Sequence, residues 1–175
     1  MWGTPVLQPF YDGWAHHQRL VLAAIADLDQ DQLGLRPAPG EMSIWQIASH
    51  MAGSRAYWFH DILGEGDVVV RDMFRVASTT VPGLSLTDAG WEDDETHPRT
   101  VSEIDAAFRR TWGMIEACLQ RWTADDITVQ LPQGASSRRV TTRGWVIWHL
   151  MEHEAHHAGA ISLLLGANGL PGLDM

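Results

Sequence analysis

The densest chemistry in the sequence lies in the stretch WVIWHLMEHEAHHAGAISLLL, residues 145–165, where four of the nine histidines fall within nine residues. His149, His153 and His157 are spaced by four, and at about 3.6 residues per turn each step returns the side chain to nearly the same side of a helix. Two imidazoles on adjacent turns can grip one cation. Burying several imidazoles without partners costs desolvation, which one divalent metal offsets for all of them at once. A single histidine on such a face reads as a hydrogen-bonded core residue, whereas a cluster this dense reads as a metal site. His156 lies about 60° around the helix from His153, on the side away from His157, so it points off an ion the other two share.

A pair on one helix holds a metal loosely and needs a third donor. His149 is one candidate, but an ideal helix climbs about 12 Å from position 149 to 157, too far for both ends to reach one ion at about 2.1 Å. His50 has no such limit, because its height depends on how two helices slide together. In SIWQIASHMAGSRAYWFHDILG, residues Ile47, His50, Ser54 and Tyr57 share one helical face, which puts His50 at the margin of the buried side. Three neutral imidazoles from two helices, His50, His153 and His157, leave a first-row metal with open positions, as catalytic rather than structural sites do. Such an ion lowers the pKa of a coordinated water or thiol. Histidine donors suit zinc, nickel, copper and iron alike. The run from His153 to His157 also fits H-E-x-x-H, the zinc metalloprotease signature in which Glu154 would be general base. Against that reading, no His or Glu follows His157, and Asp174 is the one acid downstream.

The elements that must position these residues are legible as four amphipathic helices. The first runs from about Pro5 to Leu28, with Phe10, Trp14, His17, Val21, Ala24 and Leu28 on one stripe and Gly13 as its weak point. His17 there reads as a core histidine. The following DLDQDQLGLRPAPGEM reads as a turn, because Pro37, Pro39 and Gly40 forbid continuation. The second helix starts at Ser43, whose spacing to Gln46 makes a capping box, and stops near Gly64. Residues 65–99 carry no sustained helical period and read as a long connection that crosses the fold or covers a site. A second capping box, Thr100 with Glu103, opens the third helix, which runs to Trp122. Cys118, the single cysteine, falls on its apolar stripe and reads as core. ITVQL, then PQGASSR and RVT, read as a small hairpin or extended excursion. The fourth helix starts at Thr141 or Thr142 and ends before Gly166 and Gly169. Four helices with one connection of about 35 residues predict an all-α four-helix bundle, a single domain over 1–175, whose crossover between helices two and three lets them run parallel.

The composition narrows the partners. The formal charge is −10, from 22 acidic and 12 basic side chains, all twelve of them Arg. That balance disfavours nucleic acid and anionic membrane surfaces. The N-terminus carries neither a basic n-region nor a long apolar run, and no stretch of about 18 apolar residues occurs, so a cytoplasmic protein is expected. Nine tryptophans are many for the interior of a small bundle, which favours a homodimer.

With SIWQIASHMAG and WHLMEHEAHHAGAISLLL in place, most of the chain resembles the DinB superfamily of metal-binding four-helix bundles. That superfamily includes thiol-dependent transferases using mycothiol or bacillithiol and the mycothiol-dependent maleylpyruvate isomerases. The resemblance carries the family's three metal ligands onto His50, His153 and His157. It departs at Ala158 and Ala160, where many relatives carry Arg, and Gln or His. What it implies is a zinc or nickel site that activates a low-molecular-weight thiol for transfer to an electrophile, with Arg71, Arg75 and Trp91 as candidates to select that electrophile. A metal-binding stress or interaction protein without turnover is the rival expectation, and a metal-assisted hydrolase the third.

Overall fold

The structure, a computed structural model, describes residues 8–75, 90–131 and 142–174. Their regular structure is helical, with two isolated antiparallel bridges, Arg75 to Gly90 and Gln130 to Thr142, and no longer strand among them. Helix α1 spans Gln8–Ile25 and buries Tyr11, Trp14, Gln18, Val21 and Ile25, a three-and-four stripe that passes through Gly13 without a break. Its predicted beginning at Pro5 lies outside the described residues.

Helix α3, Ile44–Ala56, opens at Ser43 as predicted: the hydroxyl accepts from the Gln46 amide while the Gln46 side chain accepts from the Ser43 amide. Such a cap contributes about 1 kcal/mol by satisfying amides that a helix start leaves bare. The helix continues as a π-helical turn, Tyr57–Ile62, and ends beyond Leu63 at Gly64, whose φ of +69° only glycine adopts freely. From 44 to 56 every residue except His50 is buried, so α3 is the central helix rather than a one-faced surface helix. Helix α5, Val101–Arg121, begins at the Thr100 and Glu103 capping box, and α7, Arg143–Ala167, begins at Thr142.

Three short helices replace segments read as irregular. Helix α2, Gln30–Leu33, is nucleated by a capping box between Asp29 and Gln32 and anchored by Leu33, 1% exposed. Helix α4, Val68–Met73, forms despite three consecutive valines, because the Asp67 side chain caps it and Val70 and Arg71 are buried. Local cap and tertiary burial together outweigh the poor helix propensity of β-branched residues. Helix α6, Ala124–Ile127, takes the start of the predicted hairpin, again through a capping box, Thr123 with Asp126. Of the hairpin itself only the Gln130 to Thr142 bridge falls within the described residues; 132–141 lie outside them.

The ring contacts fix the directions of the bundle. Along α3 and α5, Arg99 lies over Trp45, Arg55 over Phe108, and Phe59 stacks on Trp122, so the two helices run parallel. Between α3 and α7 the order reverses: His50 meets His157, Arg55 meets Glu154, and Trp58 meets Trp145. Helix α1 packs against α5 and α7, diagonal to α3. The parallel α3 and α5 are what the long crossover allows. Residues 76–89 of that crossover lie outside the described residues; its described parts form α4 and a 3-10 turn at Trp91–Asp93, which packs on α3. No described helix is long and apolar enough to cross a membrane.

Candidate metal centre

Antiparallel packing of α3 and α7 brings three imidazoles to one place. His50 Nε2 stands 2.9 Å from His153 Nε2, which stands 3.1 Å from His157 Nε2, and each of the three residues offers a ring nitrogen within 4.8 Å of the others'. All three are half-buried. Their rings differ in tilt, by 51° between His50 and His153 and 74° between His153 and His157, so the nitrogens converge while the rings fan apart.

The Nδ1 of His50 lies 2.5 Å from the backbone oxygen of Glu92 in the 3-10 turn. A carbonyl can only accept, so Nδ1 carries a proton and donates, which leaves Nε2 as the nitrogen that can offer a lone pair. Burial, then the repulsion His157 would feel from His50 and His156 whenever those rings are protonated, pushes His157 down to about 4, which keeps it neutral and able to donate a lone pair at pH 7. One proton on His153 cannot serve both neighbouring nitrogens well. One cation can: nitrogens about 2.1 Å from a tetrahedral ion stand roughly 3.4 Å apart, within a few tenths of an ångström of the 2.9 and 3.1 Å that separate His153 from His50 and His157. The residues present therefore fit a divalent transition metal.

His149, His156, His60 and His17 are not among these converging donors. His149, the rival ligand, is 9% exposed, stacked on Trp145 at 4.8 Å and edge-on to Trp58 at 5.1 Å. It fills the flank beside His153 with aromatic rings and is not among the three convergent donors. His156 is exposed, as its angle on the helix requires. His60 pairs with Asp61, and His17 is half-buried on α1, its pKa lowered by burial and held up in part by the charge of Glu154.

Glu154, the would-be general base of H-E-x-x-H, faces the other way. It is 0% exposed, and both carboxylate oxygens bind Arg55, at 2.7 Å each, with the Trp14 indole nitrogen donating to Oε2 at 2.9 Å. Arg55, also fully buried, donates to Gln18 and lies over the Phe108 ring. The carboxylate is committed to the core, so it cannot take a proton from a water at the histidines. Sequence reading missed this network; an Arg among the apolar residues of helix two was the signal for it. Cys118 is 2% exposed and its thiol is pushed up to about 12 by burial and the nearby Glu65 carboxylate, which confirms a core residue and not a nucleophile.

Two of the three residues proposed to select an electrophile are buried. Arg71 is 6% exposed and pairs with Glu92 and Asp61. Trp91 is buried between the Phe74 ring and the Arg99 guanidinium. Arg75 is exposed and pairs with Asp72. An apolar cleft of about 220 Å³ instead adjoins His157, lined by Met42, Ile47, Ala160, Leu163 and Leu164 with Glu41 as its acid. Ala160 lines this cleft, while Ala158, two residues before it, is buried in the core.

A sequence model of the DinB family matches residues 4–173. Among solved structures, the chain is similar to the crystal structure of a DinB-like protein from Bacillus cereus ATCC 10987, with a TM-score of 0.70 and 18% sequence identity over 100% of this chain and 99% of that one. At that identity the likeness shows the fold alone. No curated protein matches the sequence.

Proposed function

The chain belongs to the DinB family, and on that premise we propose that it binds one divalent transition metal, zinc or nickel, through His50, His153 and His157. We further propose that it is an enzyme that activates a low-molecular-weight thiol, of the mycothiol or bacillithiol type, for transfer to an electrophile. The observation that carries the reading is the convergence of three ring nitrogens from two helices, with the His50 lone pair freed by the Glu92 carbonyl. A bound divalent cation would supply a thiolate at neutral pH, which buried Cys118 cannot. The chain's own contributions are then to hold three neutral donors on facing helices and to pack rings of Trp58, Trp145 and His149 along one flank. The apolar cleft beside His157 would receive an uncharged part of the electrophile, in a volume set by Ala160.

Partners on this reading are a small thiol, an electrophile and a second copy of the chain, in the cytoplasm, with neither nucleic acid nor membrane. The surface for the second copy is an apolar groove of about 420 Å³ between α1 and α7, lined in part by Phe10 and Trp148, which are 60% and 58% exposed. The rival reading, a metal-binding stress or interaction protein without turnover, shares the same site. Metal analysis of the purified protein, followed by assays of mycothiol, bacillithiol and glutathione conjugation with zinc or nickel beside an esterase and peptidase panel, separates the readings. One metal per chain and conjugation of a thiol are expected. One metal with silence across all thiols would favour the non-catalytic reading, and no metal would overturn both.

A further inference from the structure

We propose that Arg71 and Glu92 form a positioning pair that sets the tautomer and aim of His50. The inference rests on the metal reading for its purpose, while its geometry stands independently of any ion. His50 is held by a backbone carbonyl, and a carbonyl is only as well placed as the turn that bears it. That turn, Trp91–Asp93, belongs to the crossover and not to the bundle, so something must pin it to α3.

Three contacts do so. The Arg71 guanidinium grips the Glu92 carboxylate with two hydrogen bonds, Nη1 to Oε2 at 3.2 Å and Nη2 to Oε1 at 2.9 Å. Its Nε reaches Asp61 Oδ2 at 3.0 Å, at the end of the central helix's π-helical turn. The pair is well shielded, with side chains 8% and 11% exposed, so it is far less screened than a surface ion pair. Second, the Trp91 amide donates to the Phe74 carbonyl at 2.9 Å, and the two rings meet edge to face. Third, Gly53 lets the turn's backbone lie directly on α3: a Cβ there would collide with the Glu92 nitrogen and stand 2.9 Å from the Trp91 carbonyl carbon. Gly53 is three residues after His50, so this close approach sets Glu92 over the imidazole.

Of the three, only the Arg71 pair acts on Glu92's own side chain, and its guanidinium spans two elements, the end of the central helix and the crossover turn. Without it the carbonyl loses the one anchor that acts through Glu92's own side chain, and the His50 ring shifts toward the Nε2–H tautomer that a histidine side chain in water prefers. That form puts a proton where the other two nitrogens converge. Groups that orient a ligating histidine through its second nitrogen change metal affinity by about 10- to 100-fold when removed.

The experiment uses the full chain, metal-free and then titrated with cobalt(II), as wild type, Arg71→Met, Arg71→Lys and Glu92→Gln. Nitrogen-15 correlation spectra of the imidazoles read the His50 tautomer directly in the metal-free protein. Wild type is expected to show Nδ1–H. In Arg71→Met and in the milder Glu92→Gln, the Nε2–H form should grow and the cobalt dissociation constant should rise about 10- to 100-fold at unchanged stoichiometry. Arg71→Lys, a point charge without the two-pronged grip, should restore part of both. A lower melting temperature with unchanged tautomer and cobalt affinity would make the pair merely structural and overturn the proposal, as would an Nε2–H His50 in wild type. Absence of cobalt binding in wild type would defeat the metal reading, and the tautomer comparison would still decide the positioning.

Discussion

His153 and Glu154 leave α7 about 100° apart, and that angle sends one to the cluster of imidazoles and the other into the core. Glu154 neutralises Arg55 where neither touches water. Removing one member of a buried ion pair strands the other, at a cost of about 3–5 kcal/mol. Glu154→Ala should therefore lose about that much in denaturant unfolding, while its folded fraction keeps the wild-type metal stoichiometry; Arg55→Met combined with Glu154→Leu should recover much of the loss. A loss under about 1 kcal/mol for Glu154→Ala would contradict the buried pair. Among the histidines, His50→Ala and His157→Ala should abolish tight metal binding, and His149→Ala and His156→Ala should retain it, as read by metal analysis after dialysis. Retention in His50→Ala with loss in His149→Ala would invert the ligand set.

Elements set how these residues respond to conditions. The candidate centre joins α3 to α7, so a metal held there adds its binding free energy to the packing of those helices; at a free concentration 1,000 times Kd that is about 4 kcal/mol. Chelation should lower the melting temperature, and an unchanged melting curve after verified metal removal would count against the coupling. The metal-free bundle should also be acid-sensitive in a defined window. His157 takes up a proton near 6.5 when unfolded and at about 4 when folded. Between those values the unfolded chain binds a proton the native one refuses, so stability is full above pH 6.5 and is lost as pH falls toward 4. Melting temperature against pH on chelated protein reads this, and the slope should flatten in His157→Leu. An equally steep slope in that variant would assign the acid sensitivity elsewhere.

At the scale of the whole molecule, the tryptophans qualify the expectation of a dimer. Trp14, Trp45, Trp58, Trp91 and Trp122 are buried within one chain, so their number alone does not call for a partner. Among the described tryptophans, Trp148 alone is largely exposed, beside Phe10 and the apolar groove between α1 and α7. If a second copy covers that groove, Trp148→Glu should convert a dimer to a monomer in light scattering with little change in the melting of the single chain. A monomeric wild type would end the proposal.

The chain's local chemistry determined much of this by itself. Ser43 with Gln46, and Thr100 with Glu103, are satisfied within one helical turn, so the starts of α3 and α5 could be read without any knowledge of the fold. The four-residue spacing of His153 and His157 aligns them on any helix. Other features depend on what comes from far along the chain. Val68–Met73 is a poor helix by propensity and exists because Asp67 caps it and the bundle buries Val70 and Arg71. Arg71 and Trp91, read as residues facing a substrate, are turned inward, since buried ion pairs and ring packing are nonlocal. The partner of His50 is a backbone carbonyl, a group every residue carries, so no residue type could announce it. Only the packing of the crossover turn on α3 at Gly53 selected Glu92 for that place.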